Sequence, residues 1–279
     1  MKHVFLRHKV RQARLLTKGL FLGELPFQRI DMLFKPLPQN TPHADFRMHC
    51  YITWKSRWLP RSHAKDLAKF IGNNSQYEFH FFDDRSQQAW MEENFPGSRI
   101  LEIYKGMKFP AAKSGIFRYS IVWKLGGTYF SINRFTHLPI SQLIGNLDDF
   151  KLSFSKVPYS RESEFFGYPD QYKGLSIIEY TVSAPPGNPV LFNALRMIEA
   201  KAPLYWNKKF EKVSRAIWGI AGPYLLTDAV DKYLTDTGIN LEIQGFDFND
   251  SLWVPRGLEF RYFQSPSYMS FENAIVLGD

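Results

Sequence analysis

Short apolar segments alternate with longer helix-like segments over residues 49–132, and this order constrains the fold more than any other feature of the sequence. Three segments have the length and composition of buried strands: 49–54, 77–82 and 128–132. Helix-start signals and helical periodicity between them predict helices over about 62–72, 84–95 and 111–125. Strand–helix–strand order joins parallel neighbours of a sheet. The sequence therefore predicts an α/β fold with a mostly parallel, Rossmann-type sheet flanked by helices.

The second half of the chain predicts a more mixed order of elements. Residues 176–184 have the composition of a strand, which Pro185-Pro186-Gly187 ends. Helices are predicted over 189–200, 205–218 and 224–235, and short strands and turns over 241–277. The chain contains no internal repeat or low-complexity tract. We therefore expect the two halves of the chain to form one large domain without internal repeats.

The N-terminal 45 residues differ from the rest of the chain. Six cations precede the first acid, Glu24: Lys2, Arg7, Lys9, Arg11, Arg14 and Lys18. On a helix, four of them share one face, and a separate apolar stripe contains Leu6, Val10, Ala13, Leu16 and Leu20. Residues 1–20 could lie on an anionic membrane, or dock on their own domain with a solvated basic face. Three prolines within 35–43 indicate a linker, so we predict an arm over 1–45 and a domain over 46–279.

The net charge of +8 suits anionic partners such as phosphorylated ligands or anionic lipid. Nucleic acid is an unlikely partner, because no helix-turn-helix, zinc-finger or RNP-type motif accompanies the charge. The single cysteine, Cys50, excludes an internal disulfide and a thiolate metal cluster, and is expected to be a buried small hydrophobe. The histidines at 43, 49, 63, 80 and 137 show no metal-site spacing and predict no role. With no signal-peptide pattern and no apolar run of roughly 18 residues, we expect a cytoplasmic protein, or one peripheral to the cytoplasmic membrane face.

Two neighbouring segments carry a recognisable signature. Residues 112–119 read Ala-Lys-Ser-Gly-Ile-Phe-Arg-Tyr, and residues 125–133 read Leu-Gly-Gly-Thr-Tyr-Phe-Ser-Ile-Asn. They resemble the Ser-Asp-x-x-Arg-Tyr and Gly-Gly-x-Tyr-x-Asp-x-Asp signature of the family-32 glycosyltransferases, the DXD-containing sugar-binding-region family. Ile52-Thr53-Trp54, residues 77–84, and Gly222-Pro223 with Thr227 resemble further segments of that family. The resemblance spans roughly residues 47–275 and leaves the arm outside.

The resemblance implies a GT-A fold, a UDP- or GDP-linked sugar donor and a glycan or lipid-linked acceptor. It usually also implies retaining transfer with Mn²⁺ or Mg²⁺. The donor-binding positions that it implies are Trp54, Ser114, Gly115, Arg118, Gly127, Tyr129, Ser131 and Asn133. By position, Trp54 would stack on the base and Arg118 would face the donor. Glu272 and Asn273 lie where related enzymes bring a C-terminal loop back to the site.

The sequence departs from the family at all three signature carboxylates. Gly115 replaces the aspartate that binds the donor ribose or sugar, and Ser131 and Asn133 replace the two metal-directed acids. A hard divalent cation prefers anionic oxygen ligands, so Mn²⁺ or Mg²⁺ is disfavoured as a cofactor. The cations that could neutralise the diphosphate instead are Arg118, Lys113 and Arg134.

Two functions remain open at this point. The first is an active hexosyltransferase with weak or absent metal dependence, because the scaffold motif is intact and only the acids changed. The second is a catalytically inactive pseudo-glycosyltransferase that serves as a binding or scaffold subunit. Trp54 could also be a core residue, Asp83 and Asp84 are expected to cap the next helix, and Gly126-Gly127 is expected to end the preceding one.

Overall fold

The computed structural model describes residues 14, 16–23, 27–37, 45–145, 150–155, 176–238, 245–247, 252–257 and 267–279. The strands are β1 (Gln28–Arg29), β2 (His49–Thr53), β3 (Trp58–Leu59), β4 (Glu78–Phe82), β5 (Gly127–Ser131), β6 (Phe135–Thr136), β7 (Lys151–Ser155), β8 (Ser176–Ala184), β9 (Lys209–Lys212), β10 (Gly245–Asp247), β11 (Leu252–Trp253) and β12 (Glu272–Ile275). The helices are α1 (Arg61–Gly72), α2 (Asp84–Asn94), α3 (Arg99–Gly106), α4 (Pro110–Leu125), α5 (Ile140–Ile144), α6 (Pro189–Tyr205), α7 (Val213–Ala221) and α8 (Pro223–Thr237).

Six strands form the central sheet of the described chain, in the order β10-β7-β8-β5-β2-β4. β2 runs parallel to β4 and β5, and β10 runs parallel to β7. β8 is antiparallel to both of its neighbours, β5 and β7. Five of these six strands therefore point the same way, which confirms the predicted α/β class and the mostly parallel sheet.

The central strands send alternate side chains into two cores, one on each face of the sheet. Tyr51 and Tyr129 enter the larger core, which α2, α3, α4, α6, α7 and α8 cover. Cys50, Ile52 and Phe130 enter the smaller core against α1 and α5. Cys50 is completely buried, as its apolar surroundings in the sequence predict.

The elements predicted from local periodicity agree with the observed ones, with one clear error. The strand predicted over 176–184 is β8 with the same bounds, and α4 differs from its prediction by one residue. The helix predicted over 205–218 is wrong at its start, because α6 continues to Tyr205 and β9 precedes α7. β9 pairs with β12 at the end of the chain, and local periodicity does not reveal so distant a partner.

The described part of the predicted arm packs against the predicted domain. β1 pairs with β3, and the following Ile30 is buried in the smaller core. The Lys35 backbone N–H donates a hydrogen bond to the Phe79 carbonyl, 2.9 Å away, on the edge strand β4. Residues 16–21 are helical, whereas residues 1–13 and most of the Pro-rich linker lie outside the described chain. The boundary at residue 45 stays a prediction.

A search of the described residues for a helix with the length and apolar character needed to cross a bilayer finds none.

Candidate functional site

The candidate site lies where β2, β4 and β5 end, because ligands of parallel α/β sheets gather at the carboxyl ends of the strands. Thr53 pairs in register with Phe82 and with Ser131, the last residues of the two neighbouring strands. Only Gly126 separates the end of α4 from the start of β5, so the reversal there returns the first turns of α4 to the same end of the sheet. We call this region, formed by the ends of β2, β4 and β5 and the start of α4, the carboxyl edge.

The Gly126-Gly127 pair allows the sharp reversal between α4 and β5. Gly126 is the C-cap of α4, as the sequence predicts, and the two residues have φ angles of +70° and +98°. A Cβ atom on Gly127 would lie 2.6 Å from the His49 carbonyl oxygen on β2. Gly127 therefore permits close strand pairing. Because it begins β5, Gly127 lies at the opposite end of the strand from Ser131, and its contact with a donor stays a prediction.

Tyr129 forms part of the buried floor beneath the carboxyl edge. Its hydroxyl lies 2.6 Å from the Thr53 hydroxyl, and its ring centroid lies 4.6 Å from the Arg118 guanidinium carbon. The side chain points into the larger core and is almost completely buried. Tyr129 therefore links the end of β2 to α4 and positions groups around it.

Arg118 is buried at the carboxyl edge and pairs with an acid that the motif does not contain. Its Nη1 atom lies 2.6 Å from Oε2 of Glu179 on β8. Glu179 lies two residues before Thr181, the register partner of Phe130, so the antiparallel β8 brings it to the carboxyl edge. The Arg118 side chain is 8 % exposed, and that of Glu179 is 21 % exposed. The Arg118 side chain thus points inward from α4, and its charge is matched by Glu179.

The pKa values of both members of this pair are raised, for different reasons. Burial disfavours the Arg118 cation, but the Glu179 carboxylate and the two tyrosine rings outweigh burial and raise the pKa of Arg118. Burial also raises the pKa of Glu179, and Arg118 opposes that shift. The Tyr119 hydroxyl lies 3.0 Å from Glu179 Oε2 and 3.2 Å from the Gly222 carbonyl oxygen, so it can donate to either acceptor. The site thus holds a cation, a carboxylate and a hydroxyl in contact.

Glu179 was detectable in the sequence, although the motif-based site does not include it. It is the one acid within the otherwise uncharged segment Ser-Ile-Ile-Glu-Tyr-Thr-Val-Ser-Ala. A carboxylate in a strand of this composition needs a partner, because an unpaired buried charge is costly. That argument predicts a cation opposite Glu179, and Arg118 fills this role.

Gly115 lies where α4 meets the junction between α7 and α8. A Cβ atom on Gly115 would lie 2.0 Å from the Ala221 carbonyl oxygen, which is far inside van der Waals contact. The next two residues, Gly222 and Pro223, are the predicted Gly-Pro segment, and the Thr227 hydroxyl donates to the Pro223 carbonyl over 2.8 Å. The aspartate that the family resemblance implies at position 115 has no room in this packing.

Ser131 and Asn133 form a tight turn at the end of β5. The Asn133 backbone N–H donates to the Ser131 hydroxyl oxygen at 3.3 Å, and the Arg134 N–H donates to the Ser131 carbonyl at 3.1 Å. The Arg134 guanidinium donates to the Asn133 carbonyl at 2.8 Å and lies 5.0 Å from the centroid of Tyr180, the residue after Glu179. Arg134 is therefore a half-buried cation at the carboxyl edge, as its predicted role requires.

Lys113 and Ser114 occupy the first turn of α4, next to the start of α2. The Lys113 ammonium lies 5.3 Å from the Tyr104 ring centroid, and the Ser114 hydroxyl lies 3.4 Å from Oε1 of Gln87. Burial lowers the pKa of Lys113, and the Asp84 carboxylate opposes that shift. Burial and the neighbouring Asp83 charge raise the pKa of Asp84. Lys113 is thus close to an acid that is easier to protonate than an ordinary aspartate.

Asp83 caps α2, which confirms the capping prediction for this position. Its Oδ1 atom accepts a hydrogen bond from the Ser86 N–H at 2.8 Å, and Oδ2 accepts one from Arg57 Nε at 3.2 Å. Burial would raise the pKa of Asp83, but these hydrogen bonds outweigh burial and hold that pKa below its usual value. Both carboxylate oxygens are therefore engaged in local structure.

Trp54 follows β2 and is half-buried at the carboxyl edge. The Trp54 backbone N–H donates a hydrogen bond to the Phe82 carbonyl at 3.1 Å, and the Trp54 side chain packs against the smaller core. The Lys55 ammonium lies 5.6 Å from the centroid of its ring. Part of the indole surface stays accessible, and stacking on a nucleotide base stays a prediction.

The C-terminal segment returns to the start of α4. Glu272 and Asn273 are exposed on β12, and Asn273 has a φ of 50°. The preceding Phe271 packs edge-on against Phe109, the N-cap residue of α4, with ring centroids 5.3 Å apart. The structure thus brings the segment near the start of α4, whereas contact of Glu272 or Asn273 with a donor stays a prediction.

The residues at the carboxyl edge do not provide the acidic ligands of a family-type metal site. Gly115 has no room for a carboxylate, the Ser131 hydroxyl already accepts a hydrogen bond, and both oxygens of Asp83 are engaged. Glu179 pairs with Arg118. We therefore assign no step at this edge to Mn²⁺ or Mg²⁺.

Comparisons with known proteins agree on glycosyltransferases. No protein-family model matches the chain. The chain is 26 % identical over 167 residues to the initiation-specific alpha-1,6-mannosyltransferase of Schizosaccharomyces pombe (strain 972 / ATCC 24843). The aligned region covers 58 % of this chain and 42 % of that protein. The chain thus spans less than half the length of this relative.

Among solved structures, the PaToxG glycosyltransferase is similar, with a TM-score of 0.50 and 11 % sequence identity. The similarity covers 82 % of this chain and 81 % of that chain. At this level of identity the likeness concerns the fold, and it confirms the predicted GT-A-type α/β architecture.

Proposed function

We propose that the chain is a glycosyltransferase that binds a nucleotide-diphosphate sugar at the carboxyl edge and transfers its hexose to a glycan or lipid-linked acceptor. One observation carries the proposal: the buried Arg118–Glu179 pair lies at the strand ends of a GT-A-type sheet, where this fold binds its ligands. The partial similarity to a mannosyltransferase supports a hexose as the transferred group. UDP and GDP are the donor nucleotides to test first.

In this proposal the cations at the carboxyl edge replace the metal ion. Trp54 stacks on the base, and Lys113 and Arg134 neutralise the diphosphate leaving group. Arg118 holds Glu179 and Tyr129 in place, because its charge is matched by Glu179. Side-chain cations can stabilise developing phosphate charge, and arginine can do so with two parallel hydrogen bonds. Transfer should therefore show weak or no metal dependence.

The direct test measures nucleotide release by the purified full chain from UDP-, GDP- and dTDP-sugars, with candidate acceptors present, in EDTA and in Mn²⁺. We expect release from at least one UDP- or GDP-hexose that persists in EDTA. Lys113→Ala and Arg134→Ala should each lower kcat/KM by about 10- to 100-fold, because each removes charge stabilisation of the leaving group. Lys232→Ala, on the exposed side of α8, is the matched control and should have no effect. Folded protein that releases no nucleotide from any donor would contradict the proposal.

The second candidate is a non-catalytic binding or scaffold subunit, and the packing at Gly115 favours it. The Ala221 carbonyl fills the space of the missing aspartate, so a donor-binding acid has been exchanged for a helix contact. A thermal-shift screen separates the two candidates, since a ligand that binds the native state raises its stability. A higher Tm with UDP or GDP in the absence of Mn²⁺ supports metal-free donor binding. No response to any nucleotide supports the scaffold.

A further inference from the structure

A cluster of two histidines and one glutamate lies at the opposite end of the sheet from the carboxyl edge. His49 begins β2, Glu78 begins β4, and the two residues are register partners. His80 lies two residues after Glu78 on β4, so the three side chains point to the same face of the sheet. His49 and His80 are 31 residues apart and show no metal-site spacing in the sequence. The pairing of β2 with β4 brings them together.

The potential ligand atoms of this cluster converge on one point. His49 Nδ1 lies 2.8 Å from His80 Nε2, and the two rings are stacked with centroids 5.1 Å apart. Glu78 Oε2 lies 4.0 Å from His49 Nδ1. The three ligand atoms lie within 4.8 Å of one another, and both imidazoles are buried.

Lys35 orients two of the three side chains. The His80 Nδ1 atom lies 3.1 Å from the Lys35 carbonyl oxygen, which can only accept a hydrogen bond, so Nδ1 carries the proton. The lone pair of His80 Nε2 therefore accepts a hydrogen bond from His49 Nδ1, and the Nδ1 proton of His49 must leave when this nitrogen binds a metal. The Lys35 ammonium binds Glu78 Oε1 at 2.9 Å, which leaves Oε2 directed to the histidines. Histidines that bind metals usually donate their second ring N–H to such a carbonyl or carboxylate.

We propose that His49, Glu78 and His80 bind a divalent transition metal, with Zn²⁺ as the first candidate. Two imidazole nitrogens and one carboxylate oxygen are a ligand set that zinc uses, with a fourth position left for water. Zn–N bonds of about 2.0–2.1 Å in tetrahedral geometry place two nitrogens about 3.3 Å apart. The histidine pair needs to open by only about half an ångström to reach that spacing.

The position of the ion predicts its effect. Five-residue strands at about 3.3 Å per residue separate this cluster from the carboxyl edge by about 13 Å. A bound ion would connect β2 with β4 and hold the Lys35 segment against the edge strand. We therefore expect it to stabilise the folded chain without changing nucleotide binding, and the inference does not depend on the proposed function.

The test uses the full chain, stripped with EDTA and titrated with Zn²⁺ by calorimetry and with Co²⁺ by visible absorption. We expect saturable binding, a tetrahedral Co²⁺ spectrum and a higher Tm with Zn²⁺. Glu78→Gln and His80→Gln should each weaken Zn²⁺ affinity at least about tenfold, since even supporting groups of metal sites have effects of that size. Glu78→Gln is the milder change, because glutamine keeps the size of the side chain and an oxygen for Lys35. His137→Gln removes an exposed histidine elsewhere and should leave the affinity unchanged.

Two results would overturn the inference. One is equal Zn²⁺ affinity in the parent and in folded Glu78→Gln and His80→Gln variants, with folding checked by circular dichroism. The other is Zn²⁺ binding that requires UDP or GDP, because this would place the ion at the carboxyl edge.

Discussion

Gly115 is the residue at which the departure from the family signature has a clear packing explanation. The Cβ position of Gly115 lies 2.0 Å from a backbone carbonyl of Ala221, and a backbone atom cannot move as freely as a side-chain end. Alanine favours a helix interior over glycine by about 1 kcal/mol, but steric overlap should outweigh this gain. We expect Gly115→Ala to lower the free energy of unfolding by about 1–3 kcal/mol, as measured by urea denaturation.

Gly72, at the end of α1, provides the matched control. A Cβ atom there meets nothing within 4 Å, and the backbone has no left-handed φ. Gly72→Ala should be neutral or stabilising by up to about 1 kcal/mol. Equal stability of the two variants would contradict the packing explanation. If the explanation holds, Gly115→Asp cannot restore a donor-binding acid.

At the residue scale, the sequence identified groups that local motifs bring together. Several of these groups lie at the end of a central strand, just after one, or on the helix between two of them, so predicting the sheet also predicts their common edge. They are Trp54, Lys113, Arg118, Ser131 and Arg134. Pairings that depend on strand register were not predictable in this way. Glu179 reaches Arg118 through the antiparallel β8, and His49 meets His80 through the β2–β4 register. Gly127 begins β5 and Ser131 ends it, and membership of one motif does not indicate which end of a strand a residue occupies.

Among the elements, those with local periodicity were predictable, and those defined by distant partners were not. β2, β4, β8 and α4 have clear local patterns, whereas β9 forms only because β12 pairs with it. The antiparallel direction of β8 was not predictable for a similar reason, since an apolar strand pattern does not indicate in which direction the strand runs. Short edge elements such as β1 and β11 are two residues long in the structure and leave no periodic trace in the sequence.

The tether between α1 and residues 252–257 is the element-scale contact that should respond to pH. Arg256 donates three side-chain hydrogen bonds and one backbone bond to the Asp66 carboxylate, with distances from 2.6 to 3.2 Å. Burial would raise the pKa of Asp66, but the bonds from Arg256 outweigh burial and lower it below the ordinary 3.8. A lowered folded-state pKa means that the pair stabilises the fold above about pH 4 and loses this effect as the pH falls through the lowered value.

Arg256→Ala leaves the 3 % exposed Asp66 without its main partner. We expect a loss of about 1–2 kcal/mol at pH 7, at the lower end of the range for a buried unsatisfied group, because the guanidinium itself is exposed to solvent. The measurement is the free energy of unfolding between pH 3 and pH 7, where the variant should show a flatter acid dependence than the parent. Arg196→Ala, from an exposed pair on α6, is the control and should change little. Parallel pH profiles of parent and Arg256→Ala would show that Asp66 does not depend on this contact.

At the scale of the whole molecule, the two ends of one sheet have different chemistry. The carboxyl edge combines Lys113, Arg134 and the Arg118–Glu179 pair, and it is the place that we propose for an anionic donor. The amino ends of β2 and β4 carry the His49–Glu78–His80 cluster, whose ligands suit a transition metal. A metal effect on stability would therefore not imply a metal effect on transfer, and the two must be measured separately.

The N-terminal helix presents apolar side chains to solvent in the described chain. Leu16, Leu20, Phe21 and Leu22 are between 44 % and 89 % exposed, so no part of the described domain covers them. Exposed Lys18 lies among them, in a chain with a net charge of +8. Of the two interpretations of this helix, the uncovered apolar side chains favour an anionic membrane surface as its partner.

We therefore expect the full chain to co-sediment with vesicles that contain phosphatidylserine, and less with neutral vesicles or at high salt. Phe21→Glu should reduce this binding about tenfold, because it removes apolar contact area and adds one negative charge. Leu204→Glu changes a leucine that is 66 % exposed on α6 and is the matched control, with binding close to that of the parent. If both variants lose binding equally, the effect is due to net charge alone. If neither does, the helix does not bind membranes.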